Sequence, residues 1–230
     1  NDTITLNGSA LINSALGLDL GAGTDKLTLN NATRIFSTTV DLGSDNDIVT
    51  LNDEASITAN ILLGSGSDTM TINNGTSVTG NISLGAVAGT DNDSLTVNGT
   101  VTGNITGANN NTININGGTV TGNITLLAGT DQLTVTGSTS TITGSINLGT
   151  GTDTLTLNNA KTAAGQAVSG VNVLNLNTGS DIEGTLTLDT GATVKLSGIT
   201  GNNLDFLDTA AAIGNATTVT VNNSTLTNNF

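Results

Sequence analysis

Residues 142–158 read ITGSINLGTGTDTLTLN, and residues 120–137 read VTGNITLLAGTDQLTVTG. Residues 78–99, VTGNISLGAVAGTDNDSLTVNG, say the same thing again. With the Asp of the D-x-L-T-L phrase as anchor, the unit recurs at Asp2, Asp25, Asp47, Asp68, Asp93, Asp131 and Asp153. Asn111 and Asn172 fill the same slot, which then degenerates to Ala192 and Thr217. Eleven anchors from Asp2 to Thr217 give a mean period of about 21.5 residues, with steps of 18 to 25. A period in that range is the signature of a stacked repeat architecture.

After each anchor the pattern alternates. Leu27 and Leu29 bracket Thr28, Met70 and Ile72 bracket Thr71, and Leu155 and Leu157 bracket Thr156. Period-two alternation puts one face of a strand in a core and the other in water. A V-T-G-N-I phrase follows, with one inward Val or Ile before a bend at Ala59, Gly80, Gly103, Gly122, Gly144 or Gly184. A third short strand (Ile61/Leu63, Ile82/Leu84, Ile124/Leu126, Ile146/Leu148) leads through a Gly-rich turn to the next anchor. Each unit is therefore three short strands and three bends.

Composition agrees. The 230 residues contain 45 Thr, 33 Asn and 30 Gly, no Pro, Cys, His, Trp or Tyr, and three Phe. A core must be built from aliphatic side chains, as suits a narrow coil. Val, Ile and Thr argue for strands and against disorder. Antiparallel hairpins would not give like phrases like neighbours, whereas stacked parallel coils do. The expectation is an all-β chain forming a right-handed parallel β-helix (β-solenoid) of ten to eleven coils. It is read as a single segment over 1–230, regular to residue 198 and less so over 199–230. Lys161–Asn172 and Ile199–Asn215 break the rhythm. Asn1 already stands within a repeat, which suggests flanking domains of a longer chain.

Several function classes fall away. A formal charge of −14 with four scattered cations makes no phosphate-binding stripe, so nucleic acid is not an expected partner. No apolar run is long enough for a transmembrane helix. Without His, Cys or Tyr, and with two glutamates on separate coils, the common catalytic bases and nucleophiles are absent. The chain is not expected to be an enzyme.

Three recurring positions carry the chemistry that remains. Asn60, Asn81, Asn104 and Asn123 follow the bends and should stack into a hydrogen-bonded ladder. Outward Thr-x-Thr-x-Asn triplets, such as Thr69, Thr71 and Asn73 or Thr154, Thr156 and Asn158, form a candidate association face. Solvated β-branched surface is the plainer reading of those triplets. The anchors Asp25, Asp47, Asp68, Asp93, Asp131 and Asp153 follow glycine turns. They read either as Asx-type turns that start a strand or as an edge of carboxylates for Ca²⁺, which wants six to eight oxygens. No other cofactor is expected.

L-G-x-G-x-D at 20–25 and 148–153 resembles part of the calcium-binding RTX nonapeptide, although Leu stands where its first Gly would be and the motif returns once per coil. Together with V-T-G-N-I and L-T-L-N-N, these phrases resemble the passenger repeats of Gram-negative autotransporters over residues 1 to about 198. That resemblance implies an extracellular β-helix displayed at the bacterial cell surface, beyond the outer membrane. It would be an adhesin-like or structural stalk whose partner is itself or a host or cell-surface ligand, with roles in cell adhesion, biofilm and virulence. A calcium-binding RTX-type surface-layer or adhesin module and a toxin passenger are the alternatives.

Overall fold

The computed structural model describes residues 1–85, 91–201, 216–222 and 225–226. Among them there is no helix, and the strands pair in parallel. No helix among the described residues is therefore long and apolar enough to cross a membrane. The chain is a β-solenoid of about nine turns spaced about 21 residues apart. Nine is the number of complete turns between Asp2 and Ala192. The next turn crosses 202–215, outside the described residues, and most of the irregular stretch Ile199–Asn215 falls there too.

The alternating phrase forms the first column of strands. Thr3–Leu6 lies on Lys26–Leu29, then Ile48–Leu51, Thr69–Ile72, Asn92–Val97, Asn110–Asn116, Gln132–Thr136 and Thr154–Asn158. The register is that of the repeat, with Leu27 on Val49, Met70 on Leu95 and Ile113 on Leu133. From Leu27 to Leu196 the inward pairs are buried, as are Ile35, Ile57, Val78, Val101, Val120 and Ile142 from the second strand. Val40/Leu42, Ile61/Leu63, Ile82/Leu84, Ile124/Leu126 and Ile146/Leu148 complete one aliphatic column. Phe36, the aromatic among the described residues, is 40 % exposed, so that column holds no ring. Ile4, Leu6, Ile12 and Leu18 in the first coil are only partly covered.

A corner of small side chains between the first and second strands is not evident from the alternation. Thr33, Ala55, Thr76, Ser140, Ala160 and Ser180 are buried there, and Gly99 and Gly118 share the column. A Cβ on Gly118 would stand 2.4 Å from the Val97 carbonyl oxygen. The chain turns too tightly over the coil below for larger groups.

Two expectations are refined. The bend at Ala59 is no break, since Ser56–Leu62 runs as one strand. It lies on Arg34–Asp41, whose register slips between Phe36 and Thr39. The change of rhythm at Lys161–Asn172 also has a structural form. Ala167–Asn177 and Thr185–Ser197 are long strands that fuse the third strand of a coil to the next first strand. Register shifts around Val168, Val171 and Val173 mark the corner, where Gly170 keeps φ +70 over Gly149.

Stacking imposes the bend glycines. Gly103 has φ +155, and a Cβ there would lie 2.2 Å from the Gly80 carbonyl oxygen of the coil below. Gly103→Ala should therefore destabilise the chain by roughly 2 kcal/mol or more, as forced backbone positions do. Denaturant unfolding followed by circular dichroism checks this. A change within about 0.5 kcal/mol would show that the bend relaxes around a methyl group.

Candidate functional site

The anchor carboxylates point inward. Asp25 stands two residues before Leu27 and four before Leu29, so strand parity turns all three toward the core. Asp25, Asp47, Asp68, Asp93, Asp131 and Asp153 are each at most 2 % exposed. Their Oδ1 atoms accept a backbone N–H from the anchor one coil earlier. Asp25 N–H donates to Asp47 at 2.7 Å, Asp47 to Asp68 at 2.7 Å, and Asp68 to Asp93 at 2.9 Å. Asn111 N–H donates to Asp131 at 2.7 Å, Asp131 to Asp153 at 2.8 Å, and Asp153 to the Asn172 side-chain oxygen at 2.8 Å. The Asp2 N–H donates to Asp25 in the same way.

This arrangement is neither an Asx turn nor a solvent edge. The side chain serves the neighbouring coil, not its own backbone two residues on. The second oxygens of Asp25, Asp47, Asp68, Asp131 and Asp153 are buried without a partner. Among the described residues, no three Asp or Glu side chains gather about a common point as metal ligands do. Burial, which penalises the charged form, raises these acids: Asp68 to about 7, Asp93 and Asp153 to about 6, and Asp47 and Asp131 in the same direction.

The bend asparagines form a ladder of opposite polarity. The Asn60 side-chain oxygen accepts from Asn81 N–H at 3.0 Å, Asn81 from Asn104 at 2.9 Å, and Asn104 from Asn123 at 2.8 Å. Asn123 accepts from Ser145 N–H at 2.8 Å. The bonds run from side chain to backbone, and each amide reaches forward to the next coil.

An amide-to-amide ladder does exist, on the outward face. Asn30 Nδ2 donates to Asn7 at 2.9 Å, Asn52 to Asn30 at 2.9 Å and Asn73 to Asn52 at 2.7 Å. Asn158 donates to Thr136 Oγ1 at 3.3 Å, and Asn175 to Thr156 Oγ1 at 3.0 Å. Asn73 and Asn158 are thus engaged within the stack, while Thr69 stays exposed and Thr71, Thr154 and Thr156 are half-buried. Lys161 pairs with Glu183 at 2.9 Å and with Asp181 at 3.5 Å, a cluster that no motif in the sequence announces. Positions 20 and 22 residues after Lys161 become its neighbours only once the irregular coil's length is known. No family model, curated protein or solved structure matches the chain.

The two side-chain-to-backbone ladders should differ in worth. Asp131→Ala strands the buried Asn111 N–H and takes one partner from Asn111 Nδ2, and should cost about 2–3 kcal/mol. Asn104→Ala frees an N–H that water can reach, and should cost under about 1 kcal/mol. Urea titration of both variants at pH 6 tests the order, and an equal or reversed cost would refute it.

Proposed function

We propose that this chain is a non-catalytic, self-associating segment of an extracellular stalk, pairing through the outward face of its first-strand column. The carrying observation is where negative charge is missing, Lys26 and Lys195 being the charged residues on the face. The outward register runs Thr3, Lys26, Ile48, Thr69, Ser94, Thr112, Gln132, Thr154, Val173, Thr193 and Thr218. Beside it run Thr5, Thr28, Thr50, Thr71, Thr96, Asn114, Thr134, Thr156, Asn175, Lys195 and Thr220. Neither line holds a carboxylate, although the chain has 18 acidic residues and four cations. Two copies can therefore approach on this face with little like-charge repulsion.

Size supports the reading. Eleven strands at about 4.8 Å make a face roughly 50 Å long, and three outward residues make it about 14 Å wide. Two such faces would bury roughly 1,400 Å², the size of a specific interface. Without aromatic or Arg anchors the pairing is weak per copy, which suits contacts made many at a time between surfaces. The resemblance to autotransporter passengers supports a place on the bacterial surface. The amide ladder supports a flat face, since it ties the outward asparagines to one another.

Sedimentation velocity over a concentration series tests the association. The wild-type chain should form dimers or larger species by hundreds of micromolar, and the Thr71→Asp/Thr134→Asp variant should need at least tenfold more protein. A wild-type chain that stays monomeric throughout, or a variant that associates equally well, rules out this face.

A further inference from the structure

In most coils of the Asp column one carboxyl oxygen has nothing to bond. Asp47, Asp68, Asp131 and Asp153 give Oδ1 to a backbone N–H, while Oδ2 is buried and unpartnered. A carboxylate so placed carries an uncompensated charge into an aliphatic interior. A carboxylic acid does not, because protonation removes the charge. The chain itself shows that the slot takes a neutral group with a donor. Asn111, in register on Asp93, is the isostere of a protonated Asp. Its Nδ2 donates to the turn carbonyls of Ala108 at 3.1 Å and Asn109 at 3.0 Å, and to Asp131 Oδ1 at 3.0 Å. Asn172 fills the slot again after Asp153.

We propose that the Asp column is a proton-binding site of the folded solenoid: Asp47, Asp68, Asp93, Asp131 and Asp153 hold the acid form when the coils are stacked, and give up their protons when the coils separate. Nothing in this depends on the association face.

The neighbouring carboxylates push the same way as burial, and the backbone N–H bonded to each acid pushes against it. Asp68 faces Asp47, Asp93 and Asp91; Asp47 faces Asp25 and Asp45, opposed by the N-terminal ammonium; Asp93 faces Asp91; and Asp153 faces Asp131 and Asp189. Asp131 has the Asn111 amide as a donor, which opposes its burial. Burial is the largest cause at all five. The folded acids lie above the ordinary value of 3.8, so the stacked chain binds more protons than the unfolded one. Stability from the column is fully present below about pH 4 and is lost as pH climbs through about 6 to 7.

The experiment is thermal unfolding from pH 4.5 to 8 in EDTA, so that no divalent cation replaces the proton, and in 0.5 M NaCl, which screens surface repulsion. The melting temperature should fall by roughly 5 °C or more across that range. A flat or rising curve overturns the proposal. Asp68→Asn/Asp131→Asn should flatten the curve, whereas Asp19→Asn/Glu54→Gln, which removes two exposed acids, should leave it; the reverse result also overturns it. A readout free of variants is proton release. Unfolding the wild-type chain in urea at pH 6 should release roughly two protons per chain, and the absence of any release refutes the column as a proton site.

Discussion

Each residue in this molecule must tolerate a near copy of itself one strand spacing above and below. That constraint does more than the aliphatic core to decide the sequence. A Cβ at Gly43 would fall 1.6 Å from the Gly21 carbonyl oxygen, and one at Gly151 would fall 1.7 Å from that of Gly129. Gly43 and Gly151, in the turns before the anchors, are therefore fixed by the coil beneath them. Conversely, Leu, Ile and Val recur inward because apolar groups stack on themselves without penalty and lose area to water with each added coil.

Self-stacking is hardest for groups that carry charge, and the solenoid meets it with direction. Each anchor carboxyl reaches back to the preceding coil, and each bend amide reaches forward to the next. A coil displaced along the stack breaks bonds of both kinds, so the two ladders fix axial register from opposite sides. The apolar column alone cannot do this, since Leu packs on Val or Ile at several offsets. The carboxyl ladder lies in the dry interior, where an unmade bond is costly, and the amide ladder lies near water, where it is not.

Much of this is legible in the residues alone. The anchors set the period, the Leu-Thr-Leu alternation sets which residues face inward, and the asparagine column lies where the bend phrase puts it. The orientation of the carboxyls is harder to read, because ionisable side chains are seldom fully buried and a solvent edge is the usual expectation. The signal is nonetheless present: Asp25, Leu27 and Leu29 share parity, so an inward Leu implies an inward Asp. The outward amide ladder follows from parity too, since Asn30 falls in step with Thr28. The Lys161 cluster and the fused strands at Ala167–Asn177 have no comparable signal. They come from a coil whose corner lies inside a continuous strand with shifted register, and where a repeat lapses its register no longer predicts who meets whom.

The distribution of charge ties structure to use. A fold of this kind serves many roles, so function has to be argued from surfaces. Here most acids among the described residues lie in the buried column or on the turn edge carrying Asp19, Asp41, Asp45, Asp91 and Asp189, with Asp53, Glu54, Asp181 and Glu183 standing apart. Asp19 even stacks directly on Asp41 in the parallel register. Like charge keeps a solenoid from meeting its copies along that edge, while the Thr and Asn face carries no such charge. Repulsion along that edge disfavours approach from its side, and the amide ladder ties the outward asparagines along the stack. Charge placement thus leaves the threonine face as a surface on which two copies would meet with little carboxylate repulsion.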